Sequence, residues 1–507
     1  MSLLWSILGH AVRHPGREAV IDDQRHYSYG RLAGGAMFLA ERIDAATDHR
    51  HVGILLPTGG TFPIALLGTW LSGRTAVPLN YLLKAEEIRY VIQDSGIDTI
   101  LSVGPMLDYV KQSCDGVLPI PEHVHVVRLE DLDYTGLPPL RWPPRPKADD
   151  LAVLLYTSGT SGKPKGVMLT HGNLETDVES AIIHAELTRA DTFMGVLPQF
   201  HSFGLTALTL LPLVLGSKVV YTARFIPRKI VDLIRKHQPD IFMAIPSMYG
   251  ALLSVKDTSK GDFASIRLAI SGGEPLPDAI YQAFKERLGM GILEGYGLTE
   301  TSPISHWSTP TRNRLHSVGQ SLPVVETRIV DEQNRFLEAG QDGEILLAGP
   351  NIMRGYYNLP QETAATFVEL SVPAADGGGA IERRRYFRTG DIGHVDAEGF
   401  LYITGRKKEM LIVGGENVFP REIEEVLNQH EGVHASAVIG VTDGMRGEVP
   451  VAFVELNEGS GFDESGLRTW CRQRLAGYKV PREIRHIEKL PRNPTGKIMR
   501  RELKAFV

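Results

Sequence analysis

Between Val52 and Val103, short apolar runs alternate with longer stretches in which apolar residues recur every three or four positions. The runs Val52–Leu56, Ala76–Pro78 and Thr99–Ser102 predict strands, and Phe62–Leu71 and Ala85–Ser95 predict helices. Such alternation gives a parallel sheet with helices packed on it. A second pattern of this kind runs from Ile182 to Leu293. Within it, Leu205 to Val220 is broken by Pro212, Gly216 and Lys218, so it predicts a buried helix turning into a strand and not a membrane span. After Val324 the strands shorten and turn residues multiply, which predicts a small β-rich subdomain. Asp376 to Ala380 reads as a flexible hairpin tip, and Asp396–Gly399 as a turn leading into Phe400–Ile403. The runs Val433–Val441, Pro450–Glu455 and Arg482–Leu490, with helices between them, predict a small α+β domain at the C-terminal end.

Composition narrows the class. With 507 residues the chain exceeds one ordinary domain, and 43% hydrophobic with 22% charged residues describes a globular protein. A net charge of −6 gives no general attraction to nucleic acid. The two cysteines, Cys114 and Cys471, are far apart and have no metal-like spacing, which suits a reducing compartment. Met1 to His10 is apolar and brief, without a basic leader or cleavage site, and predicts an amphipathic first helix. The cytoplasm, with at most loose membrane association, is the expected location. The stretch Leu137–Asp150 holds five prolines and predicts a stiff connector.

That connector leads into Leu151–Leu155, an apolar run suited to a strand buried on both faces, and then into Tyr156-Thr-Ser-Gly-Thr-Ser-Gly-Lys-Pro-Lys165. Glycines at Gly159 and Gly162 let several main-chain N–H groups converge. Thr157, Ser158, Thr160 and Ser161 add hydroxyls, and Lys163 and Lys165 add charge. This chemistry suits a polyphosphate. It is not a Walker loop, because the glycines are too close together and Pro164 follows Lys163. On its own the loop reads equally well as a solvated surface segment.

Four further stretches follow in order: Pro198-Gln-Phe-His201-Ser-Phe-Gly204, Ser271-Gly-Gly-Glu-Pro-Leu-Pro277, Glu294-Gly-Tyr-Gly-Leu-Thr-Glu300 and Tyr386-Phe-Arg-Thr-Gly-Asp391. Thr404-Gly-Arg-Lys-Lys408, Val413-Gly-Gly-Glu416 and Pro491-Arg-Asn-Pro-Thr-Gly-Lys497 complete the series. Together with the phosphate loop, this ordered set resembles the acyl-adenylate-forming (AMP-binding) superfamily, in its acyl-CoA synthetase branch. The resemblance extends from about residue 10 to the C-terminus.

The resemblance implies an N-terminal AMP-binding domain over residues 1–405, a hinge at 406–408 about Lys408, and a mobile C-terminal domain over 409–507. It implies ATP and Mg²⁺ as cofactors and CoA as co-substrate. Gly272, Gly273 and Glu274 would lie beside adenine. Tyr296 would stack on the base, with Gly295 and Gly297 keeping its faces open. Thr299 would donate to the α-phosphate or the acyl carboxylate, and Thr157 and Glu300 would hold the metal. Asp391 and Arg406 would hold the ribose, and Gly414, Gly415 and Lys479 the pantetheine of CoA. His201 would stand as a gate between the acid and the thiol, with general-base work left open. The acyl pocket would be formed by His201, Gly204, Leu205, Met243 and Tyr296, with Gly204→Trp expected to shorten it. Lys497 is the foremost catalytic candidate. Plain readings exist for each: a packed histidine, a first-turn glutamate, a turn aspartate, a solvated lysine.

The expected reaction is attack of a carboxylic acid on ATP to give acyl-AMP and pyrophosphate, then transfer to CoA. The wording Phe-His-Ser-Phe-Gly-Leu-Thr points to medium- or long-chain fatty acids. An acyl carrier protein is the alternative acceptor, or release as acyl-AMP. A non-catalytic nucleotide-binding scaffold is the reading from another class. A homodimer is compatible with the resemblance.

Overall fold

The structure is a computed structural model and describes residues 2–139, 141–157, 163–373, 381–443, 447–492 and 496–507. Two large sheets dominate the N-terminal part. The first has nine strands, and its middle six run parallel in the spatial order Leu293–Gly297, Leu268–Ser271, Ile241–Ala244, Thr192–Gly195, Lys218–Tyr221 and Glu18–Ile21. The second has seven strands, with His51–Leu55, Thr75–Pro78, Thr99–Ser102 and Leu151–Thr157 at its centre. Helix Thr61–Leu71 is apolar all round and buried from Phe62 onward, as a helix enclosed on every side must be.

Leu205–Val220 forms the expected buried helix and strand, with one addition. Thr206–Leu210 is a π-helical turn joining Ser202–Leu205 to Leu211–Leu215, and Gly216 ends the helix in the left-handed region before strand Lys218–Tyr221. No helix among the described residues is long and apolar enough to cross a membrane.

A five-stranded antiparallel sheet, which includes Glu326–Val330, Gly343–Ala348 and Ile381–Val395, forms the β-rich subdomain. Asp376–Ala380 lies outside the described residues. From Leu411 onward a further five-stranded sheet and the helices Pro420–Asn428 and Glu464–Arg472 pack around cores of their own, which include Val418, Ile423, Val438, Phe453 and Leu503. The main N-terminal core includes no residue beyond Ile403.

Helix Pro420–Asn428 begins with Pro420 in its first turn, and the Val413-Gly-Gly-Glu416 stretch ahead of it is part of a hairpin. Leu411–Val413 and Glu416–Val418 form a hairpin, with Gly414 (φ 61°) and Gly415 (φ 91°) as its turn, before helix Pro420–Asn428 begins. Both central residues need positive φ in such a two-residue turn, which is why glycines stand there.

Candidate active site

The candidate residues gather where the strands end. Thr157 closes strand Leu151–Thr157, Gly272 follows Leu268–Ser271, and Tyr296 lies in Leu293–Gly297, which pairs parallel with Leu268–Ser271. Loops beyond the carboxyl ends of parallel strands are where α/β sheets bind ligands. Ser158, Gly159, Thr160, Ser161 and Gly162 lie outside the described residues. The strands that flank them pair antiparallel, with Thr157 opposite Lys165. Lys163 lies over the Tyr90 ring, with its nitrogen 5.3 Å from the centroid, and Lys165 over the Tyr356 ring at 5.1 Å.

Asp391 is the buried centre of one cluster. Its Oδ2 accepts from the Tyr296 hydroxyl at 2.5 Å, and its Oδ1 meets Arg406 Nε at 2.9 Å. Asp391 and Arg406 face one another across adjacent antiparallel strands, which fixes the ion pair through sheet register. Enclosure and the neighbouring carboxylate push the Tyr296 hydroxyl well above its ordinary range, so it remains a donor. Thus the ring is held by its hydroxyl, while the carboxylate keeps lone pairs for a vicinal diol.

A second cluster surrounds Thr299 and Glu300. Thr299 Oγ1 lies 3.2 Å from Ser202 Oγ, and Glu300 Oε1 accepts from the Tyr356 hydroxyl at 2.7 Å. A magnesium ion takes few protein oxygens and keeps phosphate and water for the rest, so a carboxylate and the Thr157 hydroxyl suit it.

His201 and Lys497 complete the site from opposite domains. Each is open to solvent yet crowded by protein, as residues on the walls of a deep cleft are. Desolvation and the nearby Lys497 charge pull the His201 pKa down to about 4, so the ring is neutral. Its Nδ1 accepts from Phe203 N–H at 3.3 Å, which leaves the proton on Nε2. The ring therefore offers a donor to the cleft and no free base. Lys497 is influenced by Arg406, Glu409, Glu274 and Asp391, and desolvation lowers its pKa.

Several expectations change. A Cβ at Gly204 would fall 2.0 Å from the Pro198 carbonyl oxygen, so glycine is demanded there by main-chain contact. Gly204→Trp would break packing and could not measure a tunnel. Leu205 and Met243 are 0% and 1% exposed and belong to the main core, which leaves His201 and Tyr296 as the acyl-pocket candidates beside the clusters. A Cβ at Gly297 would lie 1.7 Å from the Pro303 carbonyl oxygen, so that glycine serves the strand crossing and not an open ring face. At Gly295 the nearest atoms would be 3.5 Å away, which leaves room. Gly272 lies against the Phe203 ring, and Gly273 has φ 84°. Gly414 and Gly415 are exposed, with nothing within 4 Å of an added Cβ, and Lys479 is paired with Glu422. Lys408 is exposed in the turn after strand Leu401–Arg406.

Sequence reasoning missed Ser202, Phe203, Tyr356, Arg492 and Arg500. The first two sit inside the Pro198–Gly204 stretch, and Arg500 is three residues beyond Lys497. Nothing local marked Tyr356. A cavity of about 580 Å³ lies elsewhere, along Phe263, Leu288 and His316. It reaches Leu276 and Glu294 but is lined by none of Lys497, His201, Asp391 or Glu300, so cavity size does not locate the chemistry here.

Two doubly wound sheets, a β-rich subdomain and a separately cored C-terminal domain that supplies a lysine to the cleft define a nucleotide-binding enzyme architecture. The chain belongs to the AMP-binding enzyme family: the family model matches residues 9–357, and the model of the family's C-terminal domain matches 422–497. A long-chain-fatty-acid–CoA ligase of Bacillus subtilis (strain 168) is 32% identical over 538 residues, covering 97% of this chain and 92% of that protein. A sulfoacetate–CoA ligase of Cupriavidus necator is 33% identical over 492 residues, covering 95% and 93%. The crystal structure of ATP-bound MatB from Rhodopseudomonas palustris superposes with a TM-score of 0.88 at 29% identity, covering 100% and 99%.

Proposed function

We propose that this AMP-forming acid–thiol ligase uses ATP, Mg²⁺ and CoA to convert a medium- or long-chain fatty acid to its acyl-CoA. The observation that carries the reading is the meeting of Lys497, from the C-terminal domain, with His201 and the Tyr296–Asp391–Arg406 cluster of the N-terminal domain.

A carboxylate is a poor electrophile and first needs a leaving group. The acid oxygen attacks the α-phosphorus of ATP in line; the P–O bond to pyrophosphate breaks and acyl-AMP forms. Asp391 accepts from the ribose hydroxyls, with its position set by Arg406 and Tyr296. Gly272, Gly273 and Tyr296 flank the adenine. Thr299 donates to the α-phosphate, and Lys163 and Lys165 offset charge on the departing phosphates. Lys497 spans the oxygens that gain charge as the reaction proceeds. Glu300 and Thr157 would hold magnesium, which when bound would supply further positive charge at the phosphates.

The C-terminal domain then turns about Lys408, withdrawing Lys497 and bringing the Gly414–Gly415 turn to the thiol route. The CoA sulfur attacks the acyl carbon and AMP leaves. His201 lines that route as an Nε2–H donor.

The fatty-acid assignment rests on the Phe200–Thr206 wording and the Bacillus relative, and the sulfoacetate ligase gives the competing short, anionic substrate. The test is pyrophosphate release and thioester yield for acetate, octanoate, palmitate and sulfoacetate, with CoA or a holo-carrier protein. Each buried methylene adds about 0.8 kcal/mol, roughly fourfold in binding, so activity should climb with chain length and then level. Best turnover with sulfoacetate or acetate overturns the fatty-acid assignment, and transfer only to the carrier overturns CoA.

A further inference from the structure

Behind Thr299 and Glu300 lies a buried polar assembly that the proposed mechanism does not use. The two residues stand in a short helical turn, Thr299–Thr301, followed by Ser302, whose φ of 73° is one that residues with a side chain rarely adopt. Packed against this turn is the segment 349–353, and its Asn351 is 0% exposed. Asn351 Nδ2 donates to the Thr301 and Ile304 carbonyls, both at 3.0 Å, and approaches Asp177 Oδ1 at 3.2 Å. The Asn351 carbonyl accepts from the Ser302 hydroxyl at 2.7 Å. Two residues on, Met353 N–H donates to the Glu300 carbonyl at 2.8 Å. One segment therefore holds Glu300, Thr301 and Ser302 in succession.

The segment is itself fixed from the far side. Helix His171–His184 begins where strand Lys165–Thr170 ends, so it continues directly from the strand that carries Lys165. From this helix Asn173 Nδ2 donates to the carbonyls of Pro350 and Ile352, at 2.7 and 2.9 Å, on either side of Asn351. Asp177, one turn further along and wholly buried, accepts from Asn351 and, at 3.4 Å, from Ile304 N–H. Asn351 is where the helix, the segment and the turn meet.

We propose that Asn351 is a positioning residue for the adenylating step: it sets the turn that carries Thr299 and Glu300, and so places the hydroxyl and the carboxylate where the phosphates and magnesium would be bound. This rests on the function proposed above. Asn351 is enclosed and does not reach the cleft, so its effect runs through the turn. Its amide grips main-chain carbonyls of the turn, which cannot swing aside as side chains do. Loss of the amide deprives the Thr301 and Ile304 carbonyls of that donor in a dry site, and a shift of the turn is the way to relieve it. A displacement of about 1 Å can cost a positioned reaction about a hundredfold. The bonds from Met353 and Ser302 would remain, so a smaller loss is expected.

Asn351→Ala removes the amide, and Ser302→Ala removes only the hydroxyl bond to the Asn351 carbonyl. Tyr29→Phe is the control, because it loses a buried hydrogen bond of 2.7 Å, to the Ser217 carbonyl, in another part of the core. The full-length proteins are compared for melting temperature, for kcat and KM of acid-dependent pyrophosphate release, and for calorimetric binding of ATP with and without Mg²⁺. For Asn351→Ala the expected result is about a tenfold fall in kcat, with the gain in ATP affinity that Mg²⁺ confers reduced several-fold. Ser302→Ala should move both in the same direction by less, and Tyr29→Phe should melt lower with both unchanged. An Asn351→Ala protein that melts lower but keeps the wild-type kcat and Mg²⁺ gain makes Asn351 a packing amide only and overturns the proposal. So does a Tyr29→Phe enzyme impaired as much as Asn351→Ala. If Asn351→Ala does not fold, Ser302→Ala decides, and wild-type values there overturn the proposal. If wild-type protein releases no pyrophosphate with any acid, the proposed function itself fails, while the Mg²⁺-linked binding of ATP still tests Asn351.

Discussion

Replacing Lys497 by alanine removes a cation that the C-terminal domain brings to the cleft. In the structure this ammonium lies within the electrostatic reach of Glu274, Glu409 and Asp391, with Arg406 as its like-charged neighbour. The crowded cleft and Arg406 disfavour its charged form, while the three carboxylates favour it. In water a point charge is worth little to a transition state. In a narrow cleft, already oriented and partly desolvated, loss of one such donor costs about 3 kcal/mol. At ~1.4 kcal/mol per factor of ten, Lys497→Ala should slow acyl-AMP formation a hundredfold or more. Transfer from supplied acyl-AMP to CoA should be nearly unaffected, because its developing charge lies on the leaving phosphate after the lysine has withdrawn.

The pH profile adds a second arm. Desolvation lowers the Lys497 pKa from its usual 10.5, and the step needs the protonated form. Pyrophosphate release should therefore decline on the alkaline side with an apparent pKa below that value. Lys497→Arg stays charged and should lose this limb, even if slower overall. The assay is pyrophosphate release and single-turnover thioester formation across pH. Near-normal pyrophosphate release by Lys497→Ala, or an unchanged alkaline limb in Lys497→Arg, would refute the reasoning.

Three other outcomes follow from particular contacts. Lys408→Pro, which fixes φ in the proposed hinge, should spare acyl-AMP formation and suppress thioester formation; equal loss of both would remove Lys408 from domain rotation. Gly297→Ala should unfold or severely weaken the protein, because its Cβ would lie 1.7 Å from the Pro303 oxygen, whereas Gly295→Ala, with 3.5 Å of clearance, should cost little; paired thermal melts decide. Burial holds the His171 pKa near 4 and the His306 pKa near 3, both below the ordinary 6.5, so the stability they allow is complete above pH 6.5 and is lost as pH falls towards 4. By pH 4 the loss reaches about 3 kcal/mol from each, and a urea midpoint that stays constant from pH 7 to 4.5 would refute it.

The sequence revealed strands and helices well where burial was one-sided or complete. Phe62–Leu71 and Ala85–Ser95 appear as helices within a residue of where their apolar spacing put them, and Leu151–Leu155 is a strand buried throughout. Local motifs also disclosed which residue types would meet, since Asp391, Arg406 and Tyr296 do form one cluster. What stayed hidden depends on contacts between distant segments. Gly204 looked like a spacer in an apolar wall, yet the Pro198 carbonyl that dictates it is set by how the chain doubles back after strand Thr192–Gly195. Tyr356 reaches Glu300 only because Gly355–Tyr356 pairs with Lys165–Thr170, a register no local pattern encodes. The Gly414–Gly415 pair is expected from the motif at the pantetheine of CoA, but the hairpin between Leu411 and Val418 supplies a separate reason for it.

The arrangement of the two domains bears on why one cleft could serve two unlike steps. Lys497 stands inside it, while Gly414 and Gly415, proposed for the thiol step, lie exposed with nothing close to them. A single rigid orientation would leave one of these elements idle. The contacts between the domains are of the kind that can be exchanged. Arg421 donates to the Ile403 carbonyl at 2.5 Å, and Asp278 N–H and the Gln429 amide make long bonds of 3.4 Å to carboxylates across the boundary. Glu425 is pushed above the usual carboxylate range by burial and by Asp278, so this edge of the interface is not fully relieved of repulsion. Meanwhile the C-terminal domain keeps its own cores and need not unfold to move. Polar contacts between separately cored domains favour relative motion.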